Sequence, residues 1–184
     1  DQTCRAAVAQ QIAYAAKRAV PWGISESGYN AVDGHLIYQY RAFGIPGLGM
    51  KRGLSEDLVV APYASALALL VAPEEACVNL QRLAAAGLEG RFGFYEAIDY
   101  TPERLPRGQS STVVRSFMAH HSGMSLLALA HVLADAPMQK RFGSDPLGLA
   151  SGRILLPNNR AVRTVTHAFL RASGSGLLLP RLIP

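Results

Sequence analysis

Residues 73–87 read PEEACVNLQRLAAAG, and this stretch gives the clearest local signal of structure in the chain. Proline suits the first position of a helix, and acidic side chains favour the positive end of the helix dipole. Pro73, Glu74 and Glu75 therefore predict the start of a helix, and Gly87 predicts its end. Apolar residues recur at helical spacing between these limits, which predicts one face packed against a core.

Helical patterns recur on both sides of this segment. Further helices are predicted over residues 4–19, 33–40, 61–71, 112–134 and 161–170. Pro21 predicts the end of the first of these helices, because proline cannot continue a helix. In the fourth, Gly123 predicts a loop-to-helix junction, and Ser122 is a candidate N-cap because its hydroxyl can accept a hydrogen bond from a free backbone N–H.

The arrangement of these segments predicts an all-α fold. No stretch shows the sustained alternation of apolar and polar residues that is typical of a strand. Paired helices joined by long loops favour a helical toroid, in which the helices form the wall. Long loops within compact domains often carry function, and here they span residues 21–62 and 88–110. We therefore expect the working face of the toroid to be built from these two loops.

The net charge of +5 does not indicate a nucleic-acid-binding protein. Residues 1–143 contain 13 Lys and Arg against 12 Asp and Glu, whereas residues 144–184 contain five Arg against one Asp. The basic residues of this tail are scattered singly and lack the interleaved aromatic residues that single-strand binders use. The excess charge therefore belongs to the tail, and nucleic acid is not an expected partner.

The pattern of the sequence indicates neither a secretory signal nor a membrane-spanning segment. Its longest apolar run, residues 66–72, is far shorter than the roughly 20 residues that a bilayer requires. Cys4 and Cys77 stand far apart without a CxxC motif, which favours a reducing compartment. The expected location is the cytoplasm, or the cytoplasmic face of the bacterial inner membrane within a larger membrane protein.

Two loop segments place a carboxylate among aromatic residues. PWGISESGYN, residues 21–30, contains Trp22, Glu26 and Tyr29, and GFYEAIDY, residues 93–100, surrounds Glu96 in the same way. An aromatic ring covers the apolar face of a sugar, and glycoside chemistry requires two carboxylic groups. The residue types also allow a structural interpretation, in which Trp22 fills the core and Glu26 caps a helix. In the second segment, Glu96 and Asp99 would make loop hydrogen bonds and Tyr95 would pack.

Two more segments contain charged or imidazole side chains. Lys51 and Arg52, followed by Glu56 and Asp57, are candidates for binding hydroxyl groups, although a solvated loop also explains them. The pair His120-His121 lacks an HExxH or HxxxH pattern, and neighbouring histidines are expected to point in different directions. We therefore expect hydrogen-bonding histidines in a polar cleft, no metal and no cofactor. A serine-hydrolase triad is weakly supported because no GxSxG motif is present.

Four blocks together resemble the glycoamylase-like family, and most closely its version within bacterial cyclic β-1,2-glucan synthases. The blocks are PWGISESGYN, YQYRAFGIPGLGMKRGLSEDLVVAPYASALAL, GRFGFYEAIDYTPERLP and FMAHHSGMSLLAL, in this order between residues 21 and 142. The resemblance implies an (α/α)₆ barrel that acts on β-1,2-linked glucan without a metal. It implies Glu26 and Glu96 as catalytic residues. The expected substrate-binding residues are Trp22, Tyr29, Arg52, Asp57, Tyr95, Asp99, His120 and His121.

The resemblance also predicts how the chain is organised. A complete barrel needs about twice this length, so residues 1–143 are interpreted as part of a glycoamylase-like domain. Residues 144–184 are interpreted as an atypical tail, disordered or truncated. The expected activity is cleavage and transfer of glucan chains, with cyclisation. The alternatives are hydrolysis of β-1,2-glucan and a non-catalytic glucan-binding or scaffolding module. Expected partners are the glucan, other domains of a larger synthase, and a second copy that covers an exposed half-barrel face.

Overall fold

The computed structural model describes residues 2–50 and 52–143, together with residues 153–155, 162–163, 166 and 181–183. The chain forms two compact units, Asp1–Val132 and Leu133–Pro184. The elements of the chain up to residue 133 are α1 (Gln2–Ala16), β1 (Ser27–Val32), β2 (Tyr38–Arg41), β3 (Val59–Val60), α2 (Pro62–Ala68), α3 (Pro73–Leu83), β4 (Glu89–Gly90), β5 (Gly93–Phe94), β6 (Ala97–Asp99), β7 (Thr112–Val114) and α4 (Ala119–Leu133).

The second unit contains helix α5 (Pro137–Gly143) and two parallel strands, β8 (Arg153–Leu155) and β9 (Arg181–Ile183). The interpretation of residues 144–184 as an atypical tail falls mostly outside the described residues. The same is true of the helix predicted over residues 161–170, of which positions 162, 163 and 166 are described and are helical.

A small antiparallel sheet forms the centre of the first unit. Strand β6 lies between β3 and β7. Its residue Ile98 is opposite Val60 of β3 on one side and opposite Val113 of β7 on the other. The buried side chains of this sheet join Ile24, Phe43, Ile45, Leu83 and Leu88 in one hydrophobic core. The sheet holds residues 97–99 rigidly, because burial of apolar side chains on three strands opposes any displacement of the middle one.

A second cluster packs helices α1, α2 and α3 around Trp22. Its buried members are Ala15, Val20, Trp22, Ala68, Leu69 and Ala76. Asn79 of α3 accepts a hydrogen bond from the backbone N–H of Trp22 and donates to its carbonyl and to the Ser65 hydroxyl. This buried amide therefore fixes the loop that leads into strand β1.

The prediction of an all-α toroid is wrong, and so is the (α/α)₆ barrel that the resemblance implied. Three small antiparallel sheets accompany the helices of the first unit. Most of their strands have two to four residues, and so short a strand cannot display the alternation by which strands are recognised. Both segments interpreted as loops, residues 21–62 and 88–110, contain such strands.

The segment predicted as a helix over residues 33–40 is instead the end of a β-hairpin. Strands β1 and β2 pair antiparallel, with Val32 opposite Tyr38. Asp33 closes the turn, because its carboxylate accepts hydrogen bonds from the N–H groups of His35 and Ile37. Such a side-chain contact is the reason why aspartate favours turns.

The other predicted helices of this unit exist, with shorter bounds. Helix α3 begins at Pro73, as predicted, and ends at Leu83, four residues before the predicted end. A π-helical turn, Ala84–Leu88, follows it and contains Gly87, which has a φ of 87°. Helix α4 begins at Ala119, so Ser122 and Gly123 lie within its first turns and not at a cap or junction. Among the described residues, no helix combines the length and apolar character needed to cross a bilayer.

We predict that Asn79→Ala lowers the free energy of unfolding by about 2–4 kcal/mol, because it leaves buried backbone groups of Trp22 without a partner. Gln81→Ala, an exposed position on the same helix, is the matched control and changes stability by less than about 0.5 kcal/mol. Urea denaturation followed by circular dichroism measures both. Equal effects of the two substitutions would contradict the role given to Asn79.

Candidate active site

Glu96 lies at the edge of the central sheet, just before strand β6. Its side chain is buried, and its Oε1 accepts a hydrogen bond of 3.0 Å from the backbone N–H of Gly28. A Cβ on Gly28 would lie 3.3 Å from Glu96 Cγ and 3.4 Å from Val114 Cγ1. Glycine therefore permits the close approach of strand β1 that this hydrogen bond needs.

His121 of helix α4 is the second partner of Glu96. Its Nδ1 lies 3.0 Å from Oε1 and 3.1 Å from Oε2 of the carboxylate. A carboxylate accepts hydrogen bonds, so this contact favours the tautomer that carries a proton on Nδ1, with Nε2 facing away from Glu96. The imidazole is buried and stacks on the Tyr63 ring at 3.7 Å with an interplanar angle of 12°. Two contacts thus fix the orientation of this histidine.

The Tyr40 hydroxyl faces both histidines of the pair. It lies 3.2 Å from His120 Nε2 and 3.2 Å from His121 Nε2. The expectation that the neighbouring histidines point in different directions is therefore wrong. Burial raises the pKa of the Tyr40 hydroxyl, and the Glu26 carboxylate raises this pKa further. The hydroxyl consequently stays protonated and holds the two rings together.

Glu26 lies on the exposed side of the same group. Its backbone carbonyl accepts a hydrogen bond from Tyr63, whose hydroxyl also contacts the Ser25 hydroxyl at 2.6 Å. One ligating atom on each of Glu26, His120 and His121 lies within 4.8 Å of the others. The pKa of Tyr63 is raised, mainly by burial, and both Glu26 and Glu96 add to this shift. The two glutamates therefore flank one cluster of tyrosine and histidine side chains.

A cleft of about 300 Å³ opens beside this cluster. Glu96, His121 and Tyr63 line it together with a wall of mostly apolar residues, which includes Leu80, Phe92, Phe94, Tyr95, Phe117, Met118, Leu126 and Leu129. The rings of Phe92 and Phe117 are exposed and meet edge to face, with centroids 6.4 Å apart. Exposed aromatic rings beside a fixed carboxylate provide a surface for the apolar faces of sugar rings.

Asp57 and Asp99 lie in a separate ionic cluster around Arg104. Asp99 is fully buried, and its carboxylate accepts hydrogen bonds from Arg104 and from the N–H groups of Asn30 and Thr101. Asp57 pairs with Arg104 and Arg41. Hydrogen bonds to both aspartates outweigh burial and raise the pKa of Arg104. Both carboxylates are therefore occupied by arginine partners, and neither lines the cleft.

Three other candidate residues do not line the cleft. The Tyr29 ring packs edge to face on Phe43 at 5.6 Å and beneath the Arg104 guanidinium at 5.0 Å. Trp22 is buried in the core around helices α1 to α3, as in its structural interpretation. Arg52 is exposed on its loop. The structure therefore groups Glu26, Tyr95, Glu96, His120 and His121 in and beside the cleft, and Trp22, Tyr29 and Arg52 are not among the residues that line it.

Sequence reasoning missed Tyr40 and Tyr63, which complete the cluster. Both lie within the second of the four blocks, in YQYR and APYASALAL. The predicted helix over residues 33–40 contains Tyr40, and the mostly apolar predicted helix over residues 61–71 contains Tyr63, so neither position indicates a polar contact. For Tyr63, a tyrosine hydroxyl among apolar neighbours is the available signal, since a buried hydroxyl usually finds a partner. For Tyr40, which lies between Gln39 and Arg41, the sequence gives no such signal.

Comparison with known proteins agrees with the four blocks. The Glycoamylase family model, described as "Putative glucoamylase", matches residues 2–146. A curated relative, "Cyclic beta-(1,2)-glucan synthase NdvB" of Rhizobium meliloti (strain 1021), is 46% identical over 147 residues, which are 80% of this chain and 5% of that protein. The chain thus spans about one twentieth of the relative that it matches. The two matches confirm the family resemblance.

We predict that Asp99→Asn lowers the free energy of unfolding by about 2–3 kcal/mol, because an amide places a donor against the donors of Arg104, Asn30 or Thr101. Glu103→Gln removes a neighbouring exposed carboxylate and serves as the control, with a change below about 0.5 kcal/mol. Thermal and urea unfolding measure the difference. An Asp99→Asn protein as stable as the control would show that this ionic cluster is not structural.

Proposed function

Because the chain belongs to the Glycoamylase family, we propose that it carries the active site of an enzyme that cleaves and transfers β-1,2-glucan chains. The substrate class is proposed from the relative, whose name describes a cyclic β-1,2-glucan synthase. Cyclisation is the intramolecular form of such a transfer, in which a chain's own end is the acceptor. We propose further that the chain works as part of a larger synthase, since it spans 5% of that relative.

The observation that carries this proposal is the position of Glu26 and Glu96 around His121. Glu96 contacts His121 Nδ1 directly, and a Glu26 oxygen lies within 4.8 Å of a ligating nitrogen of the same residue. Glycoside-bond enzymes use two carboxylic groups, one that protonates the leaving oxygen and one that acts as nucleophile or base. Two such groups beside an aromatic cleft are the arrangement that this chemistry needs.

The surroundings of the two glutamates favour different roles. Glu96 is buried, accepts hydrogen bonds from Gly28 and His121, and lines the cleft. A carboxylate held by donors in a fixed orientation suits the nucleophile, because its attacking oxygen is positioned before the sugar arrives. Glu26 is exposed beside the histidine pair, where its carboxyl group can reach both a leaving and an entering oxygen, and we assign it the role of acid and base.

The proposed reaction has two steps. Glu96 attacks the anomeric carbon, the glycosidic C–O bond breaks, and Glu26 gives its proton to the leaving oxygen. In the second step, Glu26 takes a proton from an acceptor hydroxyl, which attacks the same carbon and releases Glu96. A sugar hydroxyl as acceptor gives transfer with retained configuration, and water gives hydrolysis. The aromatic wall of the cleft favours the sugar, because it offers surface to a second pyranose ring.

His121 and Tyr40 are positioning residues in this proposal. His121 holds the Glu96 carboxylate, and stacking on Tyr63 restricts its ring. Tyr40 holds both imidazoles through its hydroxyl. Neither residue needs to contact the reacting carbon, but displacement of His121 would release the nucleophile from its attacking orientation.

We predict that Glu26→Gln and Glu96→Gln each lower the rate of product formation at least about 100-fold, because each removes one partner of the acid–nucleophile pair. The measurement uses the natural protein that contains these residues, incubated with linear β-1,2-glucan. Chromatography separates ring products from short linear ones. Glu75→Gln, an exposed carboxylate on α3, is the matched control and keeps the wild-type rate.

Full activity of either active-site variant would remove that glutamate from the mechanism. Binding of glucan by the wild-type protein without any product would instead favour a non-catalytic glucan-binding module. Short linear products without rings would assign hydrolysis in place of transfer. Circular dichroism of each variant shows whether the loss of activity is separate from a loss of fold.

A further inference from the structure

The groups around Tyr40 have a second property that glycoside chemistry does not require. Two imidazole Nε2 atoms face one hydroxyl at 3.2 Å each, and a carboxylate oxygen belongs to the same cluster. We propose that Glu26, His120 and His121 form a binding site for a divalent first-row transition metal, of which Zn²⁺ is the representative. Such ions bind well to two imidazoles and one carboxylate, whereas Ca²⁺ and Mg²⁺ prefer a set of oxygen ligands.

The distances require only small movements of the ligands. Tetrahedral zinc with bonds of about 2.0–2.1 Å places its ligand atoms about 3.4 Å apart. Here the three candidate atoms lie within 4.8 Å of one another. Glu26 and His120 are both exposed on the surface, so their side chains can rotate toward an ion. His121 is buried and stacked, and it serves as the fixed ligand.

Glu96 supplies the independent structural feature that supports a metal site. Histidine ligands usually donate their other ring N–H to a carboxylate, which fixes the tautomer and makes the ligating nitrogen more basic. The contact between His121 Nδ1 and Glu96 is of this kind, and it leaves Nε2 as the ligating nitrogen. An ion bound there would replace the contact of this nitrogen with the Tyr40 hydroxyl. Glu26 and Glu96 also provide negative charge that offsets the charge of the cation.

Metal binding would oppose the reaction proposed above, and this consequence rests on that proposed function. The Glu26 carboxylate would coordinate the bound ion, so Glu26 could not give a proton to the glycosidic oxygen. The ion and its water ligands would also fill the space next to His121. The site is therefore inhibitory, and zinc and glucan compete for it. The binding of the metal itself does not depend on which reaction the protein catalyses.

The test is titration of the metal-free chain with Zn²⁺ by calorimetry, without glucan and without a histidine tag. Cys4 and Cys77 are free and exposed, and both are replaced by serine because thiolates bind zinc. The expected result is one ion per chain. His120→Ala lowers the affinity at least about tenfold, and Glu96→Gln lowers it about 10- to 100-fold. His35→Ala, at an exposed histidine in the β1–β2 turn, is the matched control and leaves the affinity unchanged.

Titration with Co²⁺ gives a second measurement on the same variants. Visible absorption of bound Co²⁺ reports nitrogen and oxygen ligands, and the band is lost in His120→Ala and retained in His35→Ala. Absence of a stoichiometric site would overturn the proposal, and so would equal affinity of His120→Ala and the unaltered chain. Either negative result leaves the glycoside mechanism intact, because that mechanism needs no metal. Loss of glucan activity in the glutamate variants tests the mechanism separately.

Discussion

The contact between Glu96 and His121 is the interaction on which the rest of the site depends. It joins the central sheet to helix α4, and the Gly28 N–H adds strand β1 to the same carboxylate. Both side chains are almost fully buried, so the loss of one removes from the other a hydrogen-bond partner that solvent replaces poorly. Three distant segments of the chain therefore meet at one carboxylate, which fixes the direction in which it faces the cleft.

The chain uses its buried carboxylates in two different ways. Asp99 is enclosed by Arg104 and by backbone donors, and this cluster holds the segment after β6 against β1. Glu96 lies three residues earlier and faces the cleft with an imidazole as its main side-chain partner. A full guanidinium pair neutralises Asp99 in the interior, whereas Glu96 remains available to a ligand. The difference in partners, and not the burial, separates the structural carboxylate from the candidate catalytic one.

Local patterns predicted the helices better than the sheets. Helix α3 has proline, acidic residues and glycine at its ends, and its start agrees with the prediction. Strands such as β3 and β6 have two or three residues and exist only because they pair with distant segments. Strands that pair across 40 residues and are this short show no alternation of apolar and polar residues in their own sequence. The sequence patterns therefore favour an all-α fold, which the structure contradicts. The hairpin at residues 27–41 likewise has a sequence that predicts a loop and a short helix, whereas the structure contains two paired strands.

The candidate site, too, depends on contacts between distant segments that local sequence patterns do not show. Aromatic residues next to a carboxylate indicated the segments around Glu26 and Glu96, and the structure brings these two segments to one cluster. The same pattern selected Trp22 and Asp99, which lie in the interior. Neighbours in sequence do not determine which side chain faces solvent, because that choice depends on tertiary packing. Tyr40 and Tyr63 were missed for the same reason, although the family resemblance covered both.

The central claim is that one sugar linkage is bound between Glu26 and Glu96 beside the aromatic cleft. A crystal structure of the Glu96→Gln protein with a linear β-1,2-gluco-oligosaccharide tests it most directly. The account predicts a glycosidic oxygen within hydrogen-bond distance of Glu26, the anomeric carbon facing residue 96, and sugar rings on Phe92 or Phe117. An oligosaccharide bound around Arg52 or Asp57, away from both glutamates, would contradict it.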